Sequence, residues 1–224
     1  MRDGTWWRPA LLAVVGIVGL GQAAAPAQEA GYLPAALGGA ASAPLMRDLA
    51  GGAIRGPAGW EAWCAEHADK CGRAAPAVVQ LDAETVALMA RVFHAVHARI
   101  TPAEEPPGED VWRVVEGYGY GDCEDYALTW REELVKAGLP RGALDIAVAE
   151  TEQGEIHAVL AIHTDHGTVV FDNRHKTPKS WTALPYAWLA VEPLTASVTP
   201  WRTLPDHHRI GTTPTVTAEG KPQR

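Results

Sequence analysis

Cys123 is the residue with the clearest capacity for chemistry. It stands in the stretch GYGYGDCEDYAL, residues 117–128, after a glycine-rich loop and at the mouth of an amphipathic helix. Gly117, Gly119 and Gly121 let the backbone turn tightly and approach another chain closely. Asp122 reads as an N-cap, with Glu124 and Asp125 in the first turn, where acids suit the helix dipole. Ala127, Trp130, Leu134 and Ala137 recur at helical spacing, and Arg131, Glu132, Glu133 and Lys136 are expected on the surface. Gly138 and Pro140 end the helix. Cys123 is thus placed near N1, where the positive end of the dipole lowers a thiol pKa and makes a nucleophile. The competing reading is a small buried hydrophobe.

A thiol nucleophile needs a base, and the base needs a group to orient it. His157 lies early in the apolar run 156–163, and Asp172 ends the run 168–172. If these two strands close around Asp165-His166, Thr164 faces Gly167 and position 157 faces 174. Asp172 then shares a face with His157 as its diagonal neighbour. A two- or four-residue loop gives this result, and a three-residue loop or a bulge reverses it. A carboxylate so placed holds the imidazole tautomer while the other ring nitrogen meets the thiol. The chemistry is attack of the Cys123 thiolate on an acyl carbon, with His157 shuttling the proton and Asp172 stabilising the imidazolium. Backbone N–H groups at the helix start, that of Cys123 included, are candidate oxyanion donors. The Trp112 indole is another candidate, with a core position as its alternative.

The elements that must position these groups are a helix over 82–100 and the cysteine helix. With them go three strands, at 144–149, 156–163 and 168–172. His94 and His97, on or beside the face of the first helix, read as packing residues. Residues 104–110 read as a loop. The fold class expected is α+β, the nucleophile helix packed on an antiparallel sheet.

The chain has 224 residues, enough for one ordinary domain with extra ends. A net charge of −8 and a pI near 5.6, with no Lys/Arg cluster, argue against a nucleic-acid partner. Arg2 and Arg8, the apolar run Ala10 to Leu20 and an Ala25-Pro26-Ala27 site describe a signal peptide over 1–25. The apolar run is shorter than the roughly 18 to 20 residues a membrane span needs. The mature protein is therefore expected in the periplasm or secreted, with no membrane span. Residues 26–56 read as a low-complexity linker, 57–195 as the domain and 196–224 as a disordered tail. In an oxidising compartment Cys64 and Cys71 are the obvious disulfide pair. Seven residues of unbroken helix would hold their Cα atoms about 10 Å apart, so a bridge requires a helix break near 68–70. A metal pair with His67 is the alternative. If the disulfide forms, Cys123 is left over, as either an intermolecular partner or a working thiol.

Gly121-Asp122-Cys123-Glu124-Asp125-Tyr126-Ala127-Leu128, Ile156 to Leu160 and Phe171-Asp172-Asn173 together resemble the bacterial transglutaminase-like cysteine proteinases. Trp63-Cys64, Cys71 and the Trp181, Tyr186, Trp188 run resemble that family's flanking landmarks. The resemblance spans about residues 57–195. It implies a papain-like, transglutaminase-like core with Cys123, His157 and Asp172 as catalytic triad. It also implies a protein or peptide substrate, a surface adhesin that controls biofilm attachment in the best understood relatives. Calcium held by Asp122, Glu124 and, as a third ligand, Asp125 is a further implication; no organic cofactor is implied. Three carboxylates around a nucleophile oppose thiolate formation, and a hard cation with oxygen ligands would offset them; plain helix capping is the alternative. The leading function is an exported cysteine peptidase working through a thioacyl intermediate. A transglutaminase-type acyl transferase, a cell-wall peptide amidase and a non-catalytic binding module are the alternatives.

Overall fold

The structure, a computed structural model, describes residues 43–71, 74–192 and 201–205. The expected signal peptide, residues 26–42 of the expected linker and most of the expected tail lie outside them. Three helices carry the fold: α1 (Ala58–Glu66), α2 (Ala83–Arg99) and α3 (Cys123–Lys136). Seven strands form the main sheet: β1 (Ala53–Ile54), β4 (Leu144–Glu150), β5 (Ile156–Thr164), β6 (Gly167–Phe171), β7 (Lys179–Ser180), β8 (Ala187–Val191) and β9 (Trp201–Thr203). Their spatial order is β1-β9-β8-β4-β5-β6-β7, and every pairing is antiparallel. A separate parallel pair joins β2 (Ile100–Pro102) to β3 (Gly119–Gly121), immediately before the cysteine helix.

Local chemistry explains the helix ends. Asp82 caps α2 by accepting from the Thr85 N–H at 2.7 Å. At the end of α3, Gly138 N–H bonds Val135 O and Leu139 N–H bonds Leu134 O, the paired pattern of a Schellman stop. Helix α1 ends at Glu66, with His67 as its C-cap, and the chain turns at once. That break brings the Cα atoms of Cys64 and Cys71 to 5.5 Å, and the disulfide is formed. The expected break is therefore present, slightly earlier than placed.

The β5–β6 hairpin closes as the two-residue turn reading requires: Thr164 pairs with Gly167 and Leu160 with Phe171. Gly167 is needed there twice over. Its φ of 109° is hard for an L side chain to adopt, and a Cβ would sit 2.9 Å from Ala43 O.

Strands β4, β5 and β6 are buried on both faces, which is why they read as continuous apolar runs. One face, with Ile146, Leu160, Ile162, Val169 and Phe171, packs on Phe93, Leu128, Trp130 and Leu134 of α2 and α3. The other, with Ala147, Val159, Ala161 and Val170, packs under Met46, Trp181, Tyr186 and Trp188. Three expectations are corrected by the burial of these residues. Residues 43–56 are not linker throughout, because Met46 is fully buried and its N–H donates to Thr168 Oγ1. The tail is not wholly disordered, because Trp201 is 1% exposed in β9, between β1 and β8, with its ring edge-on to Trp60. Arg131 is not on the surface: it is fully buried, paired with Glu192 at 2.6 Å and stacked over Trp63. Composition hid the first two, since a short strap needs only one or two large apolar anchors to bind a sheet. Among the described residues no helix is long and apolar enough to cross a membrane.

Trp201→Ala should lower unfolding stability by about 3–5 kcal/mol, read by chemical denaturation. A loss below about 1 kcal/mol would mean that this segment is not part of the core.

Candidate active site

The site is built where α3 starts, beside the first residues of β5. Parallel pairing of β2 with β3 delivers the chain to the helix, and Gly121 makes the tight join. A Cβ there would lie 2.7 Å from Asp125 Oδ2. Cys123 is partly buried. Its Sγ accepts from the Ala158 N–H at 3.4 Å, which ties the helix start to the strand residue next to His157. The thiol in turn donates to Glu124 Oε2 at 3.0 Å.

This environment reverses the expected effect of the helix dipole. Burial first, then the Glu124 charge, push the Cys123 thiol well above its ordinary value, against the smaller lowering effect of the Ala158 N–H.

His157 and Asp172 are both buried, and Nε2 of the imidazole lies 2.9 Å from Asp172 Oδ1. The alternation of β5 and β6 puts both on the face that carries Tyr186, as the register predicts. Asp172 has two further partners. The Arg174 N–H donates to Oδ1 at 2.8 Å and the Tyr186 hydroxyl to Oδ2 at 2.7 Å. Burial works to raise the Asp172 carboxyl, but these donors and His157 outweigh it and hold the group below its ordinary value. Asp172 is thus an ionised carboxylate, and its bond to Nε2 leaves Nδ1 as the imidazole nitrogen available for proton exchange. Cys123 and His157 line one cleft of about 450 Å³, together with Pro102, Ala103, Ile156 and Asn173.

Trp112 is buried and its indole N–H donates to Asp110 Oδ1 at 2.8 Å. It is a core residue with its donor already engaged, so it drops out as an oxyanion donor.

The acidic residues divide differently from the expected ligand set. Asp122 occupies the N-cap position, but its side chain caps no helical N–H. Instead Glu105, Asp122 and Glu124 bring carboxylate oxygens within 4.8 Å of one another. Asp125 is turned away: its Oδ1 accepts from the Arg113 N–H at 2.9 Å and its Oδ2 lies 2.9 Å from the Arg113 guanidinium. Glu105 sits in the Pro/Gly loop 104–110 and escaped the sequence reading, because nothing local distinguishes it from a solvated loop acid. Tyr186, 14 residues beyond Asp172, was legible only as an aromatic landmark.

The trio fits a hard cation. Its donors are all carboxylate oxygens, and Asp122 Oδ1 is buried with no hydrogen-bond partner. Burial, followed by the Glu124, Asp125 and Glu105 charges, pushes Asp122 up to about 8. Arg113 reaches Glu105 at 3.4 Å, and a divalent cation would add the positive charge that lets all three carboxylates ionise together.

Solved structures of LapG from Legionella pneumophila are similar to this chain. One aligns at 20% identity and TM-score 0.45, over 57% of this chain and 72% of that one. An EGTA-treated form aligns at 20% and 0.44, over 57% and 74%, and a calcium-bound form at 17% and 0.40, over 54% and 78%. No curated protein matches the chain significantly. Residues 50–209, well over half of the sequence, match the family described as bacterial transglutaminase-like cysteine proteinase BTLCP. The chain belongs to that family, and is a transglutaminase-like cysteine peptidase with helices set against a large antiparallel sheet.

Proposed function

We propose that this peptidase cleaves peptide bonds with Cys123 as nucleophile, His157 as general base and acid, and Asp172 as the group that orients the imidazole. The observation that carries the reading is the buried 2.9 Å contact between His157 Nε2 and Asp172, in the cleft that Cys123 also lines. His157 takes the thiol proton on Nδ1, and Sγ forms a bond to the scissile carbonyl carbon while the carbonyl electron pair moves to oxygen. The Cys123 backbone N–H, in the first turn of α3 and without a helical acceptor, is a donor for that oxyanion. Collapse breaks the C–N bond, and the imidazolium gives its proton to the leaving amine. Water then attacks the thioacyl carbon, His157 takes the water proton, and the carboxylic acid and the thiol are released. Asp172 stays ionised throughout and stabilises the imidazolium.

Glu105, Asp122 and Glu124 would hold calcium, in place of the Asp122, Glu124 and Asp125 set implied by resemblance. When bound, the cation supplies positive charge beside a thiol that burial and Glu124 otherwise keep protonated.

Export to the periplasm or beyond is supported by the signal pattern of residues 1–27 and by the Cys64–Cys71 disulfide, a bond that persists in oxidising compartments. In that setting the substrate is a protein, and the family resemblance favours a surface adhesin whose release governs biofilm attachment.

His157→Ala should slow iodoacetamide labelling of Cys123 at neutral pH by at least about tenfold, followed by mass spectrometry of the peptide that carries the thiol. An unchanged rate would remove His157 from the mechanism. Glu105→Gln should weaken calcium binding by roughly tenfold through the lost ligand charge, measured by titration calorimetry. Equal affinities in the variant and the wild type would return Glu105 to the role of a loop acid.

A further inference from the structure

We propose that Tyr186 is a positioning residue of the reaction, fixing through its hydroxyl the carboxylate orientation that Asp172 presents to His157. The inference rests on the Cys123, His157 and Asp172 reading above and adds a fourth residue to it.

Geometry carries the case. The Tyr186 side chain is 1% exposed, and its hydroxyl donates to Asp172 Oδ2 at 2.7 Å. Oδ1 of the same carboxylate meets His157 Nε2 and the Arg174 N–H. A carboxylate held at one oxygen alone can rotate about its Cβ–Cγ bond. Donors on both oxygens remove that freedom and aim Oδ1 at the imidazole. The Tyr186 ring also packs edge-on to the His157 ring, with centroids 5.9 Å apart, so one side chain touches both partners.

Tyr186 is itself held in place. Pro185 precedes it and β8 follows. Its ring meets Trp188 at 5.8 Å, and the Arg174 guanidinium lies over it at 5.9 Å. Arg174 is anchored in turn by Glu152, Gln153 and Glu155, from the turn that leads into β5. On the far side, the Trp181 indole N–H donates to Pro44 O, which ties the preceding segment to the N-terminal strap. Burial and the Asp172 charge raise the Tyr186 hydroxyl far above its ordinary value, so it remains a donor at every working pH. His175 Nε2, 3.4 Å from the hydroxyl and 3.5 Å from Oδ2, is the other polar neighbour of this oxygen. It is only partly buried and its contacts are longer, so it is the weaker holder.

Tyr186→Phe keeps the ring and deletes the hydroxyl, which permits a clean test. The labelling rate of Cys123 by iodoacetamide would be measured in wild type, Y186F, D172N and the double variant, with thermal unfolding as a folding control. In the Asp172 background Y186F should slow labelling by about tenfold, as expected for a lost hydrogen bond to a charged group. In the D172N background it should change the rate by less than about twofold, because the hydroxyl acts only through the carboxylate. The same factor in both backgrounds would overturn the role assigned to Tyr186 and leave the triad standing. A D172N rate equal to wild type would overturn the triad reading and the positioning role together. The low-field imidazole N–H resonance of His157 supplies a second readout, which should shift or broaden in Y186F. Should Y186F fold poorly, protein grown on 3-fluorotyrosine, a stronger donor, should shift that resonance; an unmoved signal would sink the proposal.

Discussion

A two-residue turn at Asp165-His166 sets the register of β5 against β6, and the candidate site depends on that register. Thr164 pairs with Gly167, so residues 157 and 172 fall on one face of the sheet, near enough for a 2.9 Å contact. The turn is pinned from several sides. Thr164 Oγ1 donates to Gly167 O, Asp165 Oδ1 accepts from the Leu81 N–H, and the Asp165 N–H donates to Val79 O. A slip of one residue would move Asp172 to the opposite face and leave two buried polar groups without each other. The surrounding strands are largely apolar on both faces, and the polar atoms of this pair bond one another within them.

Around Cys123 the protein gathers carboxylates rather than cations. Glu105, Asp122 and Glu124 converge beside the thiol, while Asp125, one residue further on, faces Arg113 at 2.9 Å; the same guanidinium reaches Glu105 at 3.4 Å. Position along the helix decides this division. Asp122 and Glu124 flank Cys123 at the mouth of α3, whereas Asp125 points under the helix to the segment that carries Arg113. Burial and mutual repulsion raise Asp122 and the thiol together, so the dipole of α3 alone does not generate a thiolate here. A divalent cation held there would supply the missing positive charge.

The face of the sheet turned away from α3 carries the His157–Asp172 pair. Met46 from the N-terminal strap, Trp181, Tyr186 and Trp188 form a second apolar layer there, and Tyr186 extends from it to Asp172. Arg131, fully buried on α3, pairs with Glu192, which also accepts from Arg141 and from the Ile146 N–H. Helix α3, strand β4 and the chain after β8 thus meet in one ionic knot, which ties the cysteine helix to the middle of the sheet. Replacing one partner would strand a charge in the core.

Local sequence was sufficient wherever a local rule governs the outcome. The helical spacing after Cys123, the Gly138 stop, the three central strands and the turn at 165–166 were all legible. So was the shared face of His157 and Asp172, because side-chain alternation follows from turn length alone. The disulfide was legible in the number and spacing of the cysteines. What only the tertiary structure decided are pairings between segments far apart in the chain. No local signal marks Glu105 as a neighbour of Asp122, Arg113 as the partner of Asp125, or Tyr186 as the donor to Asp172. Arg131 was misplaced for the same reason, since a charge on a helix is expected in water until a buried partner such as Glu192 appears. The thiol environment was misread because a dipole is a property of the helix, whereas desolvation depends on everything packed around its end. Sequence alone thus determined most of the secondary structure and the shared face of His157 and Asp172. The folded chain decided their electrostatics, because burial and through-space charge have no signature in the order of residues.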